Sequence, residues 1–330
     1  MKRLLILISI LGLLLAACGG DDKDKDNKAG EQYTIGIINL SINLESVITG
    51  FKTQMAELGY IEGENITYIY DGPPASITGL DELAQKLVEA DVDLILCVST
   101  PATQAVQRAT AEKPIPSVFA VVQDPIGSGI VSSLTEPGGN ATGITFGPAE
   151  GKRLEWLTRA VPGIKRVYIP YNDDDPAPHA ALVLVSEAAE HLDVELVLQP
   201  AHGAEEIDAA IKNIPDDVDA IMILPDSIVS QRITDLAALA IERKLPFSVT
   251  VSDNVVAAGA LISFGMETEP VGQQAARLAD QVLKGTKPSD LPVEVADFFL
   301  TINLKTATAL GIEIPDSVLR QADIIIRDEE

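Results

Sequence analysis

From position 33 onward the chain alternates short β-rich runs with amphipathic helical segments, and it does so twice over. In the first half, the runs at 34–39 (TIGIIN), 66–70, 92–98 and 117–122 are continuous, apolar and bounded by polar residues, which predicts buried strands. Between them, 45–58 carries Val47, Ile48, Phe51, Met55 and Leu58 at helical spacing, and 80–90 carries Leu80, Leu83, Ala84, Leu87 and Val88 in the same way. A third helix is predicted at 101–111, and Gly59 stops the first as a C′ glycine does. The second half repeats the order, with strands at 166–170, 194–198, 220–224 and 246–251 and helices at 180–191, 204–214 and 230–244. The halves also match in detail. Val92-Asp93 before LILCVSTP parallels Val218-Asp219 before AIMILP, and Lys113-Pro114-Ile115-Pro116 parallels Lys244-Leu245-Pro246. Strands joined through helices of this length imply right-handed parallel crossovers. The fold class is therefore α/β, with two Rossmann-like lobes built on parallel sheets, and 330 residues suit two domains of ~150 each.

In such lobes ligands bind outside the carboxyl ends of the strands, so two facing lobes make the walls of a cleft. The strand ends carry small polar residues. In the first half these are Asn39, Ser41 and Asn43, then Ser99 and Thr100, then Gln123 and Asp124. In the second they are Tyr171 and Asn172, Asp226 and Ser227, and Ser252 and Asp253. Thr100-Pro101-Ala102 is the sharpest signal. Thr100 is expected to cap a helix with Pro101 in its first turn, leaving free amides that attract an anion. Capping without a ligand is the competing reading.

Composition removes several classes. Lys+Arg 24 against Asp+Glu 49 gives a net charge of −25, without the basic footprint of a nucleic-acid binder. Two Cys and three His support neither a disulfide scaffold nor a Cys/His zinc site. No cofactor motif is present: there is no GxGxxG, and Gly127-Ser128-Gly129 lacks the Lys-Ser/Thr of a phosphate loop. No Ser-His-Asp, Cys-His or paired-carboxylate pattern stands out, and His179, His191 and His202 read as loop or helix-end residues; an enzyme is not expected. The run Asn172-Asp173-Asp174-Asp175 lacks EF-hand spacing and reads as a solvated acidic loop. Cys97, inside an apolar run, reads as a buried inert thiol, and Trp156 as a packing residue.

Residues 1–17, MKRLLILISILGLLLAA, combine a short basic start with an apolar run too short to span a bilayer, as a secretory signal does. Leu15-Ala16-Ala17-Cys18-Gly19 resembles the bacterial lipoprotein cleavage box, which implies cleavage before Cys18 and lipid attachment there. Loss of Lys2 and Arg3 takes the mature charge to −27. The following GGDDKDKDNKAG cannot bury apolar surface and reads as an acidic tether through residue 32.

TPATQAVQRAT (100–110) and QDPIGSGIVSSLTEPGGNATG (123–143) resemble the substrate-binding lipoproteins of an ABC-transporter family that includes binders of tryptophan and other aromatic amino acids. GFKTQMAELGYIEGENI (50–66), VSDNVVAAGALISFG (251–265) and LKGTKPSDLPVE (283–294) fit the same family in order, so the resemblance covers 33–315. It implies a type I periplasmic-binding-protein architecture with three hinge crossovers, near 142–146, 264–266 and 292–300. Lobe 1 would comprise 33–143 plus 266–292, and lobe 2 would comprise 144–265 plus 293–330. The implied function is capture of a small zwitterionic or polar ligand, an amino acid first among them, by hinge closure. The implied partners are a membrane permease and ATPase, the anchor is the lipid at Cys18, the protein is a monomer, and its place is outside the cytoplasm. The ligand carboxylate would meet the Thr100 hydroxyl and helix amides, its ammonium Asp124 or Asp226, and an apolar side chain Leu40, Ile42, Tyr171 and Phe264. Two departures from the family pattern count against an aromatic ligand: the 39–45 loop has no aromatic residue, and Tyr171 is followed by an acidic run. A ligand-sensing subunit for a membrane receptor, or a sugar or nucleoside binder, are the alternatives.

Overall fold

A computed structural model describes residues 32–74, 76–147, 149–253 and 258–327. The signal segment, Cys18 and the acidic tether up to residue 31 lie outside the described residues. Among the described residues, thirteen strands fall into two sheets. The first contains β1 (Tyr33–Asn39), β2 (Ile66–Ile69), β3 (Leu94–Val98), β4 (Ser117–Val122), β5 (Ala141–Thr145) and β11 (Glu294–Val295), in the order β11-β5-β4-β3-β1-β2. The second contains β6 (Arg166–Asn172), β7 (Glu195–Ala201), β8 (Ala220–Met222), β9 (Phe247–Val251), β10 (Ile262–Met266), β12 (Phe299–Asn303) and β13 (Ile324–Ile326), in the order β13-β12-β10-β9-β8-β6-β7. Every pairing is parallel except β10 with β12.

The continuous apolar runs are the central strands: β3, β4 and β9 are buried along their whole length, as strands covered on both faces must be. The helices are α1 (Glu45–Glu57), α2 (Gly79–Glu89), α3 (Thr100–Ala109), α4 (Glu150–Ala160), α5 (Pro176–Leu192), α6 (Gly203–Lys212), α7 (Ile233–Arg243), α8 (Thr268–Leu283), α9 (Leu304–Leu310) and α10 (Asp316–Leu319). On the first sheet α1 and α8 cover one face, and α2 and α3 the other. On the second sheet α4, α5, α9 and α10 cover one face, and α6 and α7 the other. Each lobe is thus a three-layer sandwich with two apolar cores. The contact between α1 and α8 is unusually close. A Cβ on Gly272 would lie 1.9 Å from the Val47 carbonyl oxygen, and one on Gly50 would lie 2.1 Å from that of Glu269. Only glycine permits this approach.

The chain passes between the sheets three times: from β5 to α4, from β10 to α8, and from β11 to β12. The expected lobe limits shift slightly. Ile144 and Thr145 continue β5 by pairing with β11, and Val293 donates its amide to Leu134 O at 2.7 Å, so 144–145 and 293–295 belong with the first sheet. Ladder hydrogen bonds set these limits, and apolar periodicity carries no record of them. Two helix starts also differ. The hydroxyl of Ser99, one residue before the expected cap Thr100, caps α3 by accepting from Ala102 N at 3.4 Å. Helix α5 begins at Pro176 behind an Asp175 cap, four residues before the predicted start. The Asp-Pro pair is itself a helix-start signature.

Candidate functional site

The end of β1 spends its polar groups on its own loop. Asn39 accepts from Ser41 N at 3.0 Å and donates to Ser41 O at 2.8 Å and to Glu45 Oε1 at 3.2 Å, while Tyr70 donates to the same carboxylate. Ser41 caps the short turn Ile42–Leu44 by accepting from Asn43 N. Asn43 is thereby projected across the cleft, where its side-chain amide donates to the Ser230 carbonyl of the opposite lobe. Gln231 Nε2 makes a second bridge, to Leu40 O at 3.3 Å. The two lobes are therefore hydrogen-bonded across the cleft mouth.

The ends of β3 and β4 are strained. Ser99 sits at φ 104° and Val121 at φ 60°, conformations that side chains other than glycine rarely adopt. A one-residue bulge between Phe119 and Val122 produces the second of these and turns Val121 onto the same face as Ala120. At Ser99 the turn has a direct consequence. Its hydroxyl caps α3 and its carbonyl accepts from Thr103 Oγ1 at 2.8 Å, so Thr100 is left with a buried hydroxyl that has no partner. Ala102, expected among the contacts, is wholly buried in the core, and its amide is used by the cap.

In the second lobe, two acidic side chains anchor the wall. Asp226 is 4% exposed and accepts from Asn172 N at 2.6 Å, Ile228 N at 2.9 Å and Val229 N at 2.9 Å. Asp175 is 1% exposed, accepts from Ala177 N at 2.9 Å and reaches Ser227 N at 3.5 Å. Burial pushes both carboxyls above the usual carboxylate range, and the Asp226 charge adds to the shift on Asp175. The amides donated to Asp226 oppose its shift.

These parts enclose a central pocket between the lobes, with about 460 Å³ of atom-free space including its mouth. Asn43, Ser99, Thr100, Asp226 and Ser227, five of the residues singled out in the sequence, line it together. Asp226 is the one charged side chain among the described lining residues. The apolar wall differs from the expected Leu40, Ile42, Tyr171 and Phe264. Leu40 is in the core, Ile42 is 60% exposed, Tyr171 packs edge-on against His179, and Phe264 stacks on Phe298. Instead Val121, Phe146, Pro225 and Val251 supply it, with Thr250 and Ser230 as additional polar groups. Sequence reasoning missed these six. Phe146 could have been found, since it closes the stretch expected to cross between lobes.

The other predicted residues serve elsewhere. Asn172 organises its own loop, accepting from Gly203 N at 3.2 Å, and its side-chain amide nitrogen is buried without a partner. Ser252 donates to Gly265 O at 3.2 Å, and Asp253 accepts from Thr268 N at 3.2 Å and from its hydroxyl, tying β9 to the start of α8 across the second crossover. Gln123 and Asp124 line a different pocket. The acidic run disperses: Asp173 faces His179, Asp174 faces His202 at 3.0 Å, and Asp175 caps α5. Among the described residues no three His, Cys, Asp or Glu side chains gather as a metal site.

The model of the family described as ABC transporter substrate binding protein matches residues 41–326, and the chain belongs to this family. It is 28% identical over 319 residues to a tyrosine-binding protein of Clostridioides difficile strain R20291, spanning 94% of this chain and 92% of that one. Among solved structures, it resembles an ABC domain from Streptococcus pneumoniae in complex with L-Trp, with a TM-score of 0.82 at 27% identity, covering 90% of this chain and 100% of that one. Against the ligand-free, open structure of a Clostridium difficile substrate binding protein with adhesive properties the TM-score is 0.64, at the same identity and coverage. The fold is the two-lobed type I periplasmic-binding-protein architecture. Members of the family bind small molecules for an ABC transporter, outside the cytoplasm, and meet its permease. Among the described residues no helix is long and apolar enough to cross a membrane.

Proposed function

We propose that this chain is the lipid-anchored binding subunit of an ABC importer and that it captures an α-amino acid with an aromatic side chain in the central pocket. The observation that carries the reading is the chemistry of that pocket. It offers one buried carboxylate, an unpartnered hydroxyl at a helix start and an apolar wall, with no cationic side chain in its described lining. A ligand ammonium suits Asp226, since a desolvated cation needs a carboxylate partner. A ligand carboxylate suits Thr100 Oγ1, which lies at the positive end of the α3 dipole. The side chain then lies against Phe146, Val121 and Val251, so the absence of an aromatic residue from the 39–45 loop does not weigh against an aromatic ligand. The relatives that carry tyrosine or tryptophan support the same class. The higher TM-score against the L-Trp complex than against the open form accords with the lobe-to-lobe bonds at Asn43 and Gln231, as expected of a closed cleft. The chain does no chemistry in this reading; closure presents both lobes to the permease. Cys18 holds it at the membrane.

The test is thermal melting of the purified protein against the twenty amino acids, sugars and nucleosides. A ligand at 100 times its dissociation constant adds about 2.7 kcal/mol, or about 4 °C for a chain of this size. The expected result is a shift with L-Tyr, L-Trp or L-Phe that Asp226→Asn reduces. The reading is refuted if no amino acid shifts the melt and mass spectrometry of the denatured protein releases none.

A further inference from the structure

Beside the central pocket lies a second, larger groove between the lobes, with about 780 Å³ of atom-free space. The two share no lining residue. The first crossover segment separates them: Phe146 lines the central pocket, and its neighbours Thr145 and Gly147 line the groove. Helix α5 runs past both, with Ala177 at one and Val183 and Leu184 at the other.

The groove is built from rigid parts. Its first-lobe wall is the loop after β4, held by Ser128 N to Asp124 O at 3.0 Å, by Val131 N to Pro125 O at 3.0 Å and, from α3, by Gln104 Nε2 to Ser128 O at 3.1 Å. Within this wall Gln123 is 4% exposed. Its side-chain nitrogen faces Gly147 O at 3.5 Å, and its Oε1 is buried without a partner. Asp124 uses Oδ1 to accept from Ile126 N and Gly127 N at 3.2 and 2.8 Å, which leaves Oδ2. Thr145 already donates its hydroxyl to Val122 O at 2.8 Å. The described lining therefore presents side-chain acceptors, and Asp124 is its one charged group. The remaining walls are apolar, and two of them are conspicuously open to water: Ile126 from the first lobe, 48% exposed, and Val183 from the second, 59% exposed. A buried acceptor without a partner is costly, and a donor arriving with a ligand satisfies it.

We propose that this groove is a second ligand site, specific for a small amphipathic amine, whose ammonium meets Asp124 and Gln123 Oε1 and whose apolar body lies between Ile126 and Val183. The site is independent of what occupies the central pocket.

The probe is n-hexylamine, charged at neutral pH, titrated calorimetrically into the purified full chain. One saturable site is expected. Asp124→Asn keeps the Oδ1 acceptor of the turn and removes the charge, and should weaken binding about tenfold. Val183→Lys, at an exposed position that does not threaten folding, should do the same by like-charge repulsion. Asp226→Asn should leave hexylamine binding unchanged. The proposal is overturned if hexylamine shows no saturable binding up to about 10 mM. It is equally overturned if binding survives Asp124→Asn and Val183→Lys but falls in Asp226→Asn, which puts the amine in the central pocket. Equal binding of n-hexanol would remove the ammonium from the recognition.

Discussion

Replacing Asp175 by Asn should change the pH dependence of stability with a sign that the structure dictates. Asp175 is 1% exposed, caps α5 through Ala177 N at 2.9 Å, and shares its corner of the cleft with Asp226. Burial first, and the Asp226 charge second, push its carboxyl up to about 7 from an unfolded value of 3.8. A carboxyl that holds its proton more tightly when folded adds stability that is fully present below pH 3.8 and is lost as pH rises through about 7. At ~1.36 kcal/mol per pKa unit the ceiling is about 4 kcal/mol, and relaxation of the site should leave roughly 1–3 kcal/mol of it. Asn is as good an N-cap as Asp and keeps the oxygen that Ala177 needs. It carries no charge at any pH. Asp175→Asn should therefore be close to neutral at pH 3.5 and stabilising by roughly 1–3 kcal/mol at pH 8. The assay is urea unfolding of both proteins at the two pH values. Comparing variant with wild type at each pH cancels the titration of the many exposed carboxylates. If Asp175→Asn destabilises by the same amount at both values, the charge at 175 is not the unfavourable element that this reasoning makes it.

Three further outcomes follow from the geometry. Ser99→Ala should lower stability by about 1 kcal/mol, about 2 °C, through loss of the α3 cap, whereas Ser99→Gly should cost less or nothing because glycine relieves the φ of 104°; calorimetric melting separates them. Thr100→Val removes a buried hydroxyl that has no partner, so it should leave stability equal or raise it by up to ~1 kcal/mol, while weakening five- to tenfold the amino acid that shifts the melt. Gly272→Ala should cost at least about 2 kcal/mol by forcing α1 and α8 apart, and an unchanged denaturation midpoint would refute the close-packing argument.

Much of this protein was legible in its residue order, and the reason is that the signals are local. Apolar periodicity marks β3 and α1 within a few residues, because a strand buried on both faces and a helix buried on one leave different patterns in the chain. The doubled alternation of strands and helices sets two mostly parallel sheets, and parallel sheets place their ligands at strand ends. That is why Asn43, Ser99, Thr100, Asp226 and Ser227 could be singled out and do line one pocket.

Tertiary structure decided which strand-end groups are free. Thr100 is available because a strained Ser99 performs the capping, and no local rule separates two adjacent hydroxyls at a helix start. Val121 enters the pocket through a bulge, and Gln123 and Asp124 end beyond the crossover segment that Phe146 occupies. Asp175 and Asp226 lie 51 residues apart in the chain and become neighbours only when β6 and β8 pair. The sequence alone determined the elements and the strand ends that could form a site. The contacts between distant segments determined the cleft, because burial, strain and shared hydrogen bonds arise only once those segments pack.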